Sequence, residues 1–192
     1  MNRFFIAALT AVFIPVVSLC QEQRPSSEAR LAIATNVADY LYLLTPNIDV
    51  QYSAGRCVTA EAGAKYNNWS FRGATPQEVK NRQQTYYLGA RWWPWYSFSG
   101  WWLGACVQFQ EYDRGGVFRQ DSEAGNAFGL NLGAGYSLQI AKWLNIDLGV
   151  GFWGGRTNYT LYECPYCGKV VEEGSKAFVL PNEARLALQF IF

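Results

Sequence analysis

Apolar and polar residues alternate with a period of two along most of the chain, and this alternation predicts β-strands. In the clearest run, every second residue from Leu144 to Phe152 is apolar, and the positions between are Asn, Asp and Gly. The alternation recurs from Phe128 to Leu138 and from Leu186 to Phe192. Weaker runs lie at Ile48–Tyr52, Val58–Tyr66, Tyr86–Trp92 and Leu103–Phe109. With a less regular first strand between Ala29 and Leu43, the pattern predicts an all-β chain of about eight strands.

The polar positions of these strands indicate which face is buried. They are mostly Gly, Asn, Gln and Ser, with isolated charges at Asp49, Glu61, Lys65, Arg91, Asp147 and Arg185. Small residues and charges that can pair suit the crowded lumen of a narrow barrel, and the apolar face then meets lipid. The predicted fold is a transmembrane, up-and-down antiparallel β-barrel of about eight strands, OmpA/OmpX-like in architecture. Because side chains fill so narrow a lumen, a plug of paired ions is favoured over an ion path.

The connections between strands alternate in length. Short ones are expected at 53–56, 94–99 and 140–142, and long ones at 68–83, 112–125 and 162–177. Outer-membrane barrels have short periplasmic turns and longer external loops. The connection at Thr45 and Pro46 is short where a long one is expected. Pro181 falls inside the last strand, where it cannot donate a ladder hydrogen bond, so a bulge or a late strand start is expected there.

Aromatic residues cluster at the predicted periplasmic ends of the strands, where they match an interfacial girdle. They are Trp92, Trp95, Tyr96, Phe98, Trp101 and Trp143. The last strand ends in Phe190 and Phe192, with apolar residues at alternate positions before them. Such an ending resembles the signal that the outer-membrane barrel assembly machinery reads. A packed soluble core could use the same rings.

Composition fits this picture and removes several classes of function. Only 16% of the 192 residues are charged, against 17% aromatic and 18 glycines. Glycine belongs in a narrow lumen, aromatic rings belong at the interfaces, and a lipid-facing wall needs little charge. Sixteen basic and fifteen acidic residues give no electrostatic case for binding nucleic acid. The absence of histidine removes Ser-His-Asp and Cys-His catalysis and most zinc enzymes, so we expect no enzyme and no cofactor.

The N-terminal segment has the layout of a secretory signal. Arg3 precedes an apolar run from Phe4 to Val17, which is too short to span a bilayer. We expect residues 1–20 to be cleaved after Cys20, residues 21–28 to form a short extension, and residues 29–192 to form the barrel. A lipoprotein with lipidated Cys20 is the alternative, and the bulky Leu19 disfavours it. The predicted location is the outer membrane of a Gram-negative bacterium, with lipid and lipopolysaccharide as surroundings.

The cysteines suggest structural bonds more than chemistry. Cys164 and Cys167 form a CxxC motif in the last external loop, outside the reducing cytoplasm, so a local disulfide is expected. A metal shared with a partner and a redox role remain alternatives, although the motif lacks further ligands and a thioredoxin-like setting. Cys57 and Cys106 are expected to be buried structural thiols on the lumen side.

The chain also resembles a family of small barrel proteins of unknown function from Bacteroidetes, often encoded beside major-fimbria genes. The resemblance covers about Leu31 to Phe192 and is carried by the order and spacing of weak motifs. These are the Leu31–Asp49 opening with Asn36, Asp39, Thr45, Pro46 and Asn47, then NNWSF from Asn67, GARWW from Gly89, GAGY from Gly133 and YECPYCG from Tyr162. The resemblance implies an outer-membrane location and a fimbrial connection, and no established activity.

Three kinds of function follow from the sequence. The first is a non-enzymatic outer-membrane barrel whose external loops contact surface structures such as fimbriae or lipopolysaccharide. The second is a small transporter or channel that uses the charged lumen. The third is a soluble, lipocalin-like binder, which would have an apolar interior and a polar exterior.

Overall fold

Eight antiparallel strands form a closed ring in the computed structural model, which describes residues 30–41, 44–72, 78–115, 121–163 and 168–192. The strands are β1 (Leu31–Asn36), β2 (Asn47–Ser53), β3 (Val58–Arg72), β4 (Glu78–Trp92), β5 (Gly100–Gly115), β6 (Ser122–Ala141), β7 (Leu144–Tyr162) and β8 (Val170–Ile191). Each strand pairs with its neighbours in sequence, and β1 pairs with β8 to close the ring. The prediction of an all-β, up-and-down barrel of eight strands is confirmed.

A short helix, α1 (Val37–Leu41), follows β1 and occupies the second half of the first predicted strand. The strand ends at Asn36, whose Oδ1 accepts a hydrogen bond from the backbone N–H of Ala38 (3.3 Å) and so caps the helix. Asn47 accepts the backbone N–H of Asn36 at 2.6 Å, which fixes this end of β1. The prediction of a strand from Ala29 to Leu43 is therefore too long. Among the described residues, no helix has the length and apolar character needed to cross a bilayer.

The strands β3 to β8 are much longer than the sequence pattern predicts. Pairing continues to Arg72 with Glu78, to Gly115 with Ser122, and to Tyr162 with Val170. Most of the residues expected in long loops are therefore in strands, including the charged stretches 78–82 and 172–176. Hydrogen bonds between strand backbones do not require apolar side chains, so the apolar pattern of the sequence underestimates the length of these strands. We call the end of the ring with the short turns at 54–57, 93–99 and 142–143 the turn end, and the opposite end the extended end.

The polarity of the ring is the reverse of that of a water-soluble domain. Its interior holds buried polar side chains, among them Gln51, Thr59, Asn131, Asn145 and Gln189. Its outward face carries exposed apolar side chains at Leu88, Leu103, Leu132, Val150 and Phe152. Large apolar patches on a protein surface mark contact with another apolar phase or partner. The inward face of the strands is therefore mainly polar, and the outward face is mainly apolar.

Two glycines make room for one indole in the interior. Gly135 of β6 and Gly149 of β7 are paired residues, and Trp102 of β5 lies over both. A Cβ at Gly149 would lie 2.6 Å from Cζ2 of Trp102, and one at Gly135 would also overlap the indole. Trp102 is buried with Ala32, Trp93 and Phe98, and together they form an apolar cluster at the turn end of the interior.

The last strand contains the irregularity that Pro181 predicts. Gly151 pairs with Glu183 and Phe152 pairs with Pro181, so Asn182 has no opposite residue and forms a bulge. The prediction of a bulge is confirmed. The extra residue shifts the alternation of side chains in the part of β8 before Asn182, whereas Glu183 keeps the inward parity of Arg185 and lies beside it.

The ring has a gap at its extended end because β1 and β2 are short. β1 pairs with β8 only from Ala187 to Ile191, and β2 pairs with β3 only from Thr59 to Lys65. Within the described residues, 170–183 of β8 and 67–72 of β3 have no strand beside them on the edges that face this gap. Helix α1 packs against β8 there, and Asn36 Nδ2 donates to the carbonyl of Ala184 at 3.2 Å.

Candidate functional site

Charged side chains from five strands meet in the interior of the barrel. We call Asp49, Glu61, Arg91, Asp147, Glu183 and Arg185 the luminal cluster. Asp147 is its centre, because its Oδ2 accepts from Arg91 Nη1 and from Arg185 Nε, both at 2.7 Å. Its Oδ1 accepts the indole N–H of Trp102 at 2.6 Å. The central carboxylate therefore joins both arginines to the wall of the barrel.

The remaining carboxylates of the luminal cluster occupy the other edges of the two arginines. Arg91 Nε donates to Glu61 at 2.5 Å, and Arg185 donates to Asp49 at 2.6 Å and to Glu183 at 3.0 Å. The guanidinium of Arg91 also lies over the ring of Trp102, 4.2 Å from its centroid. Charge-assisted bonds of this kind are among the stronger hydrogen bonds in proteins. The luminal cluster ties β2, β3, β4, β7 and β8 together across the interior.

Acidic groups outnumber basic ones in the luminal cluster. Four carboxylates face two guanidinium groups, and the buried Oδ1 of Asp49 has no hydrogen-bond partner among the described residues. A buried ion network contributes little net stability, but removing one member leaves the buried groups that it bonded without a partner. All four carboxylates accept a hydrogen bond from an arginine. The arrangement braces and obstructs the interior.

The predicted lumen charges do not all meet. Asp49, Glu61, Arg91, Asp147 and Arg185 belong to the luminal cluster, whereas Lys65 lies nearer the extended end and forms an ion pair with Asp39 at 2.9 Å. Sequence reasoning missed Glu183 and Trp102. Strand alternation itself was the available signal for Glu183, since Glu183 lies two residues before the inward Arg185. Trp102 could have been found from its place between the inward positions Gly100 and Gly104.

An amide layer separates the luminal cluster from the turn end. Gln189 Nε2 donates to Gln51 Oε1 at 3.0 Å, and Asn145 Nδ2 donates to Ser137 Oγ at 3.1 Å. Asn145 Nδ2 also donates to the carbonyl of Phe98 at 2.6 Å. Trp93 and Phe98 of the apolar cluster pack near the turn end, and Trp102 joins them to the luminal cluster through its bond to Asp147. The interior is therefore filled with side chains from the luminal cluster to the turn end.

The aromatic residues predicted for a girdle lie at the turn end, and most face outward. The exposed ones are Trp92, Trp95, Tyr96, Trp101 and Trp143. Phe98 is only 5% exposed and packs edge-on against Trp93 inside the ring, so its assignment to the girdle is wrong. Its backbone φ of 65° places it in a tight turn, where strand alternation does not determine direction. Phe190 stacks on Trp143, with ring centroids 6.0 Å apart, and Phe192 is exposed.

A second set of outward aromatic residues, which the sequence analysis did not single out, lies towards the extended end. Tyr86 pairs with Phe109, and Phe109 pairs with Phe128. Tyr66 and Phe152 lie on the same outward face, and all five side chains are exposed. The apolar outward face is therefore bordered by aromatic rings on both sides.

The cysteines differ in part from the prediction. Cys106 is a free, buried thiol. Cys57 is disulfide-bonded, so its prediction as a free structural thiol is wrong. Because Cys106 is free, the other half of that bond lies outside the described residues. The predicted disulfide between Cys164 and Cys167, the signal segment 1–20 and the extension 21–28 also lie outside the described residues.

Comparison with known proteins gives one match. A family model described as "Protein of unknown function (DUF3575)" matches residues 8–192. No curated protein and no solved structure matches the chain.

Proposed function

The chain belongs to the family of proteins of unknown function DUF3575, so a role has to be inferred from its structure. We propose that it is a non-enzymatic integral barrel of the bacterial outer membrane. In this role the luminal cluster closes the barrel, and the extended end presents a surface to partners outside the cell. The observation that carries the proposal is the reversed polarity of the ring, with ion pairs inside and apolar side chains outside.

The outward apolar band has the height that a bilayer requires. On β5 it runs from Trp101 through Leu103, Ala105 and Val107 to Phe109, which is nine residues. Beyond Phe109 the outward positions are Glu111 and Asp113. A transmembrane β-strand needs about 9–11 residues, and aromatic girdles border its apolar band at both interfaces. The two sets of outward aromatic residues support this placement of the bilayer.

The polar interior argues against the soluble, lipocalin-like alternative. Such a binder needs an apolar interior to hold its ligand and a polar exterior to remain in solution. Here Arg91, Asp147 and Arg185 are almost fully buried inside, whereas Leu88 and Val150 are each 61% exposed outside.

Cell fractionation tests the proposed location. When the full chain is expressed in a Gram-negative host, we expect it in the outer-membrane fraction. Its gel band should also move on heating, because a folded barrel resists detergent until it is unfolded. A known soluble periplasmic protein of similar size serves as the control. Recovery of the protein with that control, in the soluble fraction, would contradict the proposal.

Planar-bilayer recording separates a closed barrel from a channel. We expect no stable conductance of porin size, because the luminal cluster, the amide layer and the apolar cluster of the turn end fill the interior in succession. A purified porin in the same membranes is the control. Reproducible, long-lived porin-size steps from the protein would favour the transporter alternative.

Fimbrial components are the partners that we propose for the extended end. The proposal rests on the resemblance to barrels encoded beside major-fimbria genes. It is supported by the part of β8 beyond the band, where Val170, Val171 and Val179 are exposed. Crosslinking at the surface of intact cells should recover a fimbrial component. Its failure to do so, while lipopolysaccharide is captured, would contradict a fimbrial role and leave the membrane location standing.

A further inference from the structure

A cavity of about 390 Å³ lies in the interior on the extended-end side of the luminal cluster. Its wall includes Lys65 of β3, Gln83 of β4, Gln108 and Gln110 of β5, Trp153 of β7 and Asn182 of β8. The volume falls within the range of roughly 300–1,000 Å³ that is typical of small-molecule sites. The bulge residue Asn182 and its neighbour Pro181 line the cavity together with Ala38 and Asp39 of α1, which packs against β8.

Hydrogen bonds within the wall hold its amide groups in place. Gln110 Nε2 donates to Gln83 Oε1 at 2.9 Å. Gln108 Oε1 accepts from Asn131 Nδ2 at 3.1 Å and from Asn182 Nδ2 at 3.3 Å. Each of these bonds occupies one of the two polar atoms of a glutamine amide and leaves the other polar atom for a ligand. The Nε2 of Gln83 and of Gln108, and the Oε1 of Gln110, are the donors and the acceptor that a ligand can meet.

An aromatic ring completes the wall. Trp153 is 4% exposed, and its ring packs edge-on against Phe178 with centroids 4.6 Å apart. Within the described part of the chain, its buried indole N–H has no hydrogen-bond partner. A buried donor without a partner is costly and is normally met by protein, water or ligand. Trp153 therefore contributes an aromatic surface to the cavity wall, and its indole N–H is buried behind that surface.

The ionisable groups of the wall are largely engaged with protein partners. Lys65 and Asp39 form an ion pair at 2.9 Å, and Arg114 lies over the ring of Tyr112 at 4.8 Å from its centroid. Glutamine amides then carry most of the recognition. A ligand that offers several hydroxyl groups and an apolar face matches them better than a compact ion does.

We propose that this cavity binds a neutral polyhydroxylated small molecule of the size of a mono- or disaccharide. The amide ends of Gln83, Gln108 and Gln110 bond its hydroxyl groups, and Trp153 offers the aromatic surface. The inference goes beyond the proposed function, since binding by the folded chain in detergent does not depend on its location in the cell.

Titration of the full-length protein in detergent tests the proposal. The probes are glucose, N-acetylglucosamine, maltose and lactose, with inorganic phosphate as the ionic comparison, measured by calorimetry and saturation-transfer NMR. We expect at least one sugar to bind and phosphate not to. Absence of binding by all four sugars, or binding of phosphate alone, overturns the proposal.

Two neighbouring glutamines provide a matched pair of variants. Gln83 lines the cavity, whereas Gln84 lies outside it on the opposite face of β4. We expect Gln83→Leu to weaken sugar binding about fivefold to tenfold, as the loss of one or two hydrogen bonds implies, and Gln84→Leu to leave it unchanged. Equal losses in the two variants overturn the assignment of the site.

A second variant covers the case in which Gln83→Leu does not fold. Trp153→Leu removes the aromatic surface and keeps an apolar side chain. We expect sugar binding to weaken severalfold while the heat-shifted gel band remains. Unchanged affinity in folded Trp153→Leu overturns the proposed site.

Discussion

Asp147→Ala is expected to destabilise the barrel by about 3–5 kcal/mol, because it leaves one buried donor on each of Arg91, Arg185 and Trp102 without an acceptor. Asp147 is fully buried and accepts from both arginines and from the indole of Trp102. Urea titration of the heat-shifted gel band measures the effect, and a large loss should move the midpoint to much lower urea.

Asp113→Ala is the matched control for this variant. Asp113 lies in β5 near the extended end, its side chain is 33% exposed, and Lys80 is 3.9 Å away. Exposed ion pairs contribute about 0–1 kcal/mol, so the midpoint should hardly move. Equal shifts in the two variants would mean that the luminal cluster has no special part in holding the barrel together.

Leu132→Arg is expected to reduce folding into lipid vesicles by about 2–4 kcal/mol, the cost of a basic residue on the lipid face at mid-bilayer. Leu132 lies on the outward face of β6, pairs with Ala105 and Phe152, and is 52% exposed. The folded fraction in vesicles, read from the heat-shifted band across a urea series, measures the change.

Asn126→Arg tests the same substitution outside the apolar band. Asn126 is on the same strand and the same outward face, towards the extended end, and it is exposed. We expect a small effect, because the added charge remains in water. If Leu132→Arg were as well tolerated as Asn126→Arg, the outward face would be in contact with water and the membrane proposal would be wrong.

Strand alternation predicts the side-chain directions within the strands, because each side chain there points either into the barrel or out of it. Asp49, Glu61, Arg91, Asp147 and Arg185 were found in this way, because one parity of each strand is inward. Which of them meet depends on strand register and height, and those are set by pairing between distant parts of the chain. Lys65 has the right parity but lies too near the extended end to reach Asp147.

The errors fall where alternation stops being informative. Phe98 lies in a turn with a left-handed backbone, so its position relative to Trp101 does not indicate its direction. Cys57 lies just before β3, and a disulfide depends on a partner that is distant in sequence. Asn182 is an extra residue that shifts the parity of β8, so the alternation between Arg185 and Phe192 does not extend to the residues before Asn182. The ends of β3 to β8 depend on ladder bonds that polar residues make equally well.

The short β1 makes the ring unequal around its circumference. β8 pairs with β7 from Val170 to Phe190, but with β1 only from Ala187 to Ile191. The closing contact also joins the two ends of the described chain, with the carbonyl of Phe192 accepting from Arg30 N at 2.9 Å. Contacts between residues so far apart in sequence have the largest entropic cost of loop closure, and few neighbouring contacts offset it. The β1–β8 seam is therefore the step at which an open, already paired sheet becomes a barrel, and the interface along which the barrel would first reopen.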